Sequence, residues 1–101
     1  MTKAERLVLV KKNLLITTDA FDDSLLFFLQ SAEKLLLREG IAPNEGEGDL
    51  EFDYLLIAYA SFLWEKRRNT EEKNTTGLPL YLKAMIRNRK YGVFLGGQGN
   101  G

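Results

Sequence analysis

The sequence predicts an all-α domain of four helices, residues 1–91, followed by a Gly-rich extended C-terminal arm, residues 92–101. Three observations support this. Apolar residues recur at i, i+3 and i+4 in four segments. No segment shows the alternation of a half-buried strand, and no internal repeat is present. The breaks carry helix start and stop chemistry, with Thr2, Asp49 and Pro79 ahead of apolar runs and Gly40 behind one.

The first helix is signalled by Thr2 with Glu5 three residues on, the spacing of a capping box. Leu7, Val10 and Leu14 then recur at helical spacing, and Ile16-Thr17-Thr18-Asp19 breaks the pattern. Asp19, Asp22 and Asp23 place negative charge at the start of a second helix, where the helix dipole favours it. Phe21, Leu25, Phe28, Leu29, Ala32, Leu35 and Leu36 give that helix the clearest apolar stripe in the chain. Gly40 is its expected C′ stop, and Ile41 is placed to supply the apolar contact that follows such a stop.

The stretch APNEGEGD reads as loop on composition. Asp49 is the expected N-cap of a third helix from about Leu50 to Arg68. One face carries Phe52, Leu55, Leu56, Tyr59, Phe62 and Leu63; a second carries Tyr54, Ile57, Ala58 and Trp64. Asn69 to Gly77 is loop. Pro79 suits the first turn of a short fourth helix. There Leu82, Met85 and Ile86 turn inward, and Lys83, Arg87, Asn88 and Lys90 outward.

A chain of 101 residues with 45% apolar and 28% charged residues has a single-domain, globular composition. Cys is absent, which excludes a disulfide framework and a thiolate metal site. His is absent too, which removes the commonest general base and metal ligand. An enzyme is therefore not expected, nor a cofactor. No apolar run is long enough to cross a bilayer. MTKAERLVLVKK lacks the small-residue cleavage site of a secretory signal, so an intracellular protein is expected.

Net charge is zero but unevenly spread. Met1 to Glu65 holds six Lys/Arg against twelve Asp/Glu, a balance of −6; Lys66 to Gly101 holds eight against two, a balance of +6. Glu71 and Glu72 are the only acids of the basic half. Such polarity is either a solvated dipole or a means of docking acidic to basic surfaces. The second and third helices are also apolar on more than one face. Leu26, Phe27 and Leu37 lie off the main stripe of the second, and Tyr54 and Trp64 on the second face of the third. A helix apolar all round is either central in its own domain or packed against another chain.

Other motifs carry less. Glu45, Glu47, Asp49, Glu51 and Asp53 do not match the ligand positions of an EF-hand loop, so a solvated loop and helix start is expected there, not a metal. GGQGNG has no helix after it to bind phosphate. Asn74-Thr75-Thr76 has the letters of a glycosylation sequon. Lys66, Arg67, Arg68, Lys83, Arg87, Arg89 and Lys90, near Trp64, Tyr81 and Tyr91, form a basic set of the kind that contacts phosphates, without a recognition-helix motif. A small nucleic-acid-binding helical protein is therefore the alternative function.

One pattern is more specific. Trp64 is followed by Glu65-Lys66-Arg67, then by a polar loop with Thr70-Glu71-Glu72. Leu78-Pro79 then opens a short helix ending Met85-Ile86-Arg87-Asn88-Arg89-Lys90-Tyr91. A short first helix, Asp22-Asp23 at the start of the second, Ala32 within it and Gly40 at its end complete the pattern. This resembles the small all-helical head–tail connector, or adaptor, proteins of tailed bacteriophages and prophages, over Thr2 to Tyr91. The resemblance implies a virion structural protein at the head–tail junction, assembled in the host cytoplasm. It implies a homo-oligomeric ring, dodecameric in the virion, beneath the portal protein. The ring extends the channel through which DNA passes non-specifically and carries the next neck or tail-completion protein. By that likeness Arg67 and Arg68 sit in subunit contacts or at the ring's exposed edge, and Leu26, Phe27, Leu37, Tyr54 and Trp64, from the second apolar faces, are the further candidate subunit contacts. The arm departs from the pattern. Val93-Phe94-Leu95 between glycines, with Tyr91 ahead, is expected to order on assembly as an extended segment against the portal or a neighbouring subunit.

Overall fold

The computed structural model describes residues 1–44, 48–68 and 77–91, with Arg68 described by its backbone alone. Four helices follow one another: α1 (Lys3–Leu14), α2 (Asp22–Arg38), α3 (Leu50–Arg68) and α4 (Leu80–Lys90). The fold is all-α, as the periodicity required. The arm, residues 92–101, lies outside the described residues, as do Glu45, Glu47 and the loop with Glu71 and Glu72.

Local chemistry sets the helix ends. The Glu5 backbone N–H donates to the Thr2 hydroxyl at 3.1 Å, and the Thr2 N–H donates to the Glu5 carboxylate at 2.8 Å, completing the capping box. The Phe52 N–H donates to Asp49 at 3.1 Å, and Asn44 donates to the other Asp49 oxygen at 2.9 Å, so Asp49 caps α3 and pins the loop before it. Gly40 ends α2 with φ 83. Its N–H donates to Leu37 O and the Ile41 N–H to Leu36 O, each at 2.9 Å, which is the Schellman pair. Ile41 then enters the core.

Two starts differ from the sequence expectation. Pro79 is the N-cap of α4, in extended backbone one residue ahead of the first turn, where ψ 158 is incompatible with helix. Asp19 stands outside α2. Its carboxylate accepts from the Lys11 ammonium at 2.9 Å, which draws it towards the end of α1. Hydrogen bonds to Asp22 and then to Asp19 hold the Lys11 ammonium above its ordinary pKa.

Helices α1, α2 and α3 pack pairwise on one another, and α4 packs on α3. Arg6 donates to Asp53 at 2.9 Å and Asn13 to Ser61 at 2.7 Å, so α1 and α3 run in the same direction. Trp64 near the end of α3 meets Phe21 and Phe28 near the start of α2, so α2 runs against both. Arg89 reaches back to Asp49, so α4 runs against α3. The core gathers Val10, Leu25, Leu36, Phe52, Leu55, Leu56 and Leu82, all essentially buried.

The second face of the third helix divides between the two readings. α3 touches each of the other three helices, so it is the central helix and the chain itself covers Ile57 and Trp64. Tyr54 stays open at 57% exposure. On α2, Phe27 and Leu37 also stay open, while Leu26 is half-buried against the core.

Candidate functional site

The end of the molecule where α2 begins and α3 finishes holds a connected set of aromatic rings. Trp64, only 4% exposed, meets Phe21 edge-on at 5.4 Å between centroids and Phe28 at 5.8 Å. Phe28 in turn meets Phe27 at 5.8 Å. The Arg67 guanidinium lies 3.7 Å from the Trp64 ring centroid, one helical turn further on, where the π-face attracts a cation. Three of the expected contact residues, Phe27, Trp64 and Arg67, are thus joined through ring contacts. Trp64 itself faces inward, and at the surface Arg67 covers it. Arg68 follows, its side chain outside the described residues. Leu37 stands near the other end of α2.

Tyr54 belongs to a different face. With Leu9, Lys12, Asn13, Ile57 and Ala58 it lines an open groove of about 400 Å³ between α1 and α3. A second, open depression shares Leu9 with it and is lined by Met1, Glu5 and Val8, without a residue of α3. The α1 side of the groove has no counterpart among the expected contacts. The signal for it is Leu7-Val8-Leu9-Val10, an apolar run too long for one helical stripe, half of which has to face outward.

The basic back half divides. Arg89 is not part of the open basic face. Its guanidinium donates to both Asp49 oxygens, the Nη1–Oδ1 distance being 3.0 Å, to Glu51 at 2.7 Å and to the Ala42 carbonyl at 3.0 Å. Arg89 holds the Asp49 carboxyl far below the ordinary range against the opposing effect of burial, helped by the Asn44 and Phe52 N–H groups. Lys90 meets Glu39 at 3.4 Å. The acidic front and basic back therefore meet in part within one chain. Lys83 and Arg87 remain along one side of α4, and with Leu78, Ile86, Tyr91 and the Lys90–Glu39 pair they line a shallow groove of about 260 Å³. Tyr91 is exposed at the head of the expected arm; Val93, Phe94 and Leu95 lie outside the described residues.

Of the acidic cluster, Asp49 and Asp53 direct their oxygens at Arg89 and Arg6, each of whose guanidinium groups lies 5.8 Å from the Phe52 ring centroid. Among the described residues no group of three or more acidic side chains is placed to hold a metal ion, and no helix is long and apolar enough to cross a membrane. Comparison of the chain with protein-family models, with curated proteins and with solved structures gave no match.

Proposed function

We propose that the chain is the subunit of a phage head–tail connector ring, which docks beneath the portal, extends the DNA channel and carries the next neck or tail-completion protein. The observation that carries this reading is the large apolar side chains left open on separate faces of a small bundle. Phe27 is 63% exposed on α2, and Tyr54 stands over the α1–α3 groove. Open apolar surface on more than one side suits a protein that contacts several neighbours at once. The likeness described above supplies the identity of those neighbours, and the all-α fold agrees with it.

In this reading Leu26, Phe27, Leu37 and Tyr54 contribute to subunit contacts. Trp64 acts from within by holding Arg67, and Arg67 or Arg68 pairs with an acidic residue of the front half of a neighbour. Tyr91, Val93, Phe94 and Leu95 form the portal-docking arm. Electron microscopy of the protein mixed with portal tests the whole: ring density beneath the portal is expected, and bare portals would refute it. Removal of residues 92–101 should abolish docking while leaving the helical circular dichroism unchanged. A truncated chain that docks normally removes the arm from the proposal.

The Lys83 and Arg87 side of α4, with Tyr91 beside it, favours a second reading as a nucleic-acid-binding protein. A salt-dependent gel shift separates the two. A connector gives weak, sequence-independent retardation, whereas a tight complex with one sequence favours the second.

A further inference from the structure

The outer stripe of α2 and the groove between α1 and α3 are on opposite sides of the molecule. Since α1, α2 and α3 touch pairwise, the side of α2 that faces solvent points away from the groove between the other two. Among the described residues neither surface is covered, and each has what the other lacks.

The α2 stripe is a ridge. Asp23, Phe27, Gln30, Lys34 and Arg38 follow one another at helical spacing and all are exposed. The acid stands at the start, the bases at the end, and the Phe27 ring between them. The groove has apolar walls in Leu9, Ile57 and Ala58, with Tyr54 at its edge. Lys12 lines it at the end of α1, and Glu5 lines the adjoining depression that shares Leu9 with it, at the start of α1. Among the described residues none of Lys12, Asp23, Lys34 and Arg38 belongs to an ion pair.

We infer that the groove receives the α2 ridge of a second copy of this chain, laid in the direction of the first copy's own α2. The inference rests on the ring-subunit reading and specifies which faces meet. α1 runs against α2, so this direction sets Asp23 of the second copy beside Lys12; its Lys34 then lies about 6 Å past the level of Glu5, within the reach of a lysine side chain, and its Arg38 lies beyond the start of α1. The Phe27 ring falls over the apolar walls. At 1.5 Å per residue Phe27 lies about 6 Å from Asp23 along the helix, which brings it level with Val8 and Leu9. The reversed direction would set Lys34 and Arg38 against Lys12, a like-charge juxtaposition that disfavours it. The contact joins two different patches, so each copy has one ridge and one groove to offer. Repetition closes into a ring or runs on as an open polymer.

The absence of cysteine allows a clean test. Asp23→Cys and Lys12→Cys are made separately in the full chain; both sites are exposed, so folding is not at stake. The two proteins are mixed and treated with a short bismaleimide. The expected result is a cross-linked dimer from the mixture, several-fold above either variant alone, and a ladder of multimers from a chain with both substitutions. Equal yield from Asp23→Cys alone, or none above the single variants from the mixture, overturns the contact. If that happens while rings still form on the portal, the ring reading survives without this contact. If the mixture cross-links but microscopy shows only open polymers, the contact stands and the ring reading falls.

Discussion

Arg89 closes onto Asp49 across forty residues of chain, and both side chains are withdrawn from water, at 11% and 7% exposure. The contact joins the last turn of α4 to the N-cap of α3 and, through the Ala42 carbonyl, to the loop that leads into it. A buried charge is tolerated only with its partner in place. Arg89→Ala is therefore expected to cost about 3 kcal/mol, by leaving the Asp49 carboxylate without its cation. Urea unfolding at neutral pH measures it.

The same pair sets an acid sensitivity. The folded state holds the Asp49 carboxyl well below the ordinary range, so the unfolded chain takes up a proton there at a higher pH than the folded chain does. The stabilisation is complete above about pH 5 and declines as pH falls through the ordinary carboxylate range of about 4 and below. Asp49→Asn keeps an acceptor for the Phe52 N–H but loses the charge. It should be less stable than the parent at pH 7 and closer to it at pH 3. Parallel stability curves for the two proteins over that interval would show that the acid response lies elsewhere.

Two helix ends of the same type carry different residues, and opposite substitutions should have opposite signs. α2 ends through Gly40 at φ 83, and α1 ends through Leu15 at φ 59, with the Leu15 N–H on Lys12 O at 3.2 Å and the Ile16 N–H on Lys11 O at 2.9 Å. A left-handed conformation costs a residue with a Cβ roughly 1–2 kcal/mol, and glycine almost nothing. Leu15 is 88% exposed, so it gains little from packing in return. Leu15→Gly should stabilise the fold by about 0.5–1 kcal/mol, less than the full relief because glycine also loosens the unfolded chain. Gly40→Ala should destabilise it by about 1 kcal/mol, although nothing within 4 Å obstructs the added carbon. Thermal unfolding of both variants reads the two signs directly.

These residues also show what a sequence can and cannot reveal. Thr2 with Glu5, Asp49 with Phe52, and Gly40 with Ile41 act over one to three positions, so the ends of α1, α2 and α3 are legible from neighbouring residues alone. Apolar periodicity likewise identifies Leu25, Leu29 and Leu36 as inward. It does not say which helix each face meets. Trp64 stands on a secondary face of α3 by spacing alone, and only the approach of Phe21 and Phe28 from α2 buries it. Arg89 reads as one more base of α4, because its carboxylate partners precede it by about forty positions and no local pattern joins them. The groove under Tyr54 needs α1 and α3 placed side by side in the same direction, which the Arg6–Asp53 and Asn13–Ser61 contacts fix and composition does not.

Trp64 and Arg67 separate burial from cation stacking. Trp64 is the sole tryptophan, so its emission reports on this end of the molecule without interference. Its ring is buried between Phe21 and Phe28, and truncation to alanine removes a large apolar volume from a packed site; Trp64→Ala should cost about 3–5 kcal/mol. The Arg67 side chain is exposed, and its stacking on the ring contributes about 0.5–1 kcal/mol. Arg67→Ala should therefore leave stability nearly intact while uncovering one ring face to water, which moves the Trp64 emission to longer wavelength. Arg67→Lys tests whether the planar guanidinium matters, since an ammonium carries the charge without the stacking plane. Lysine should return less than half of the emission shift. Full restoration by lysine would assign the effect to charge, and a large loss of stability in Arg67→Ala would mean that Arg67 helps to hold the α2–α3 junction together.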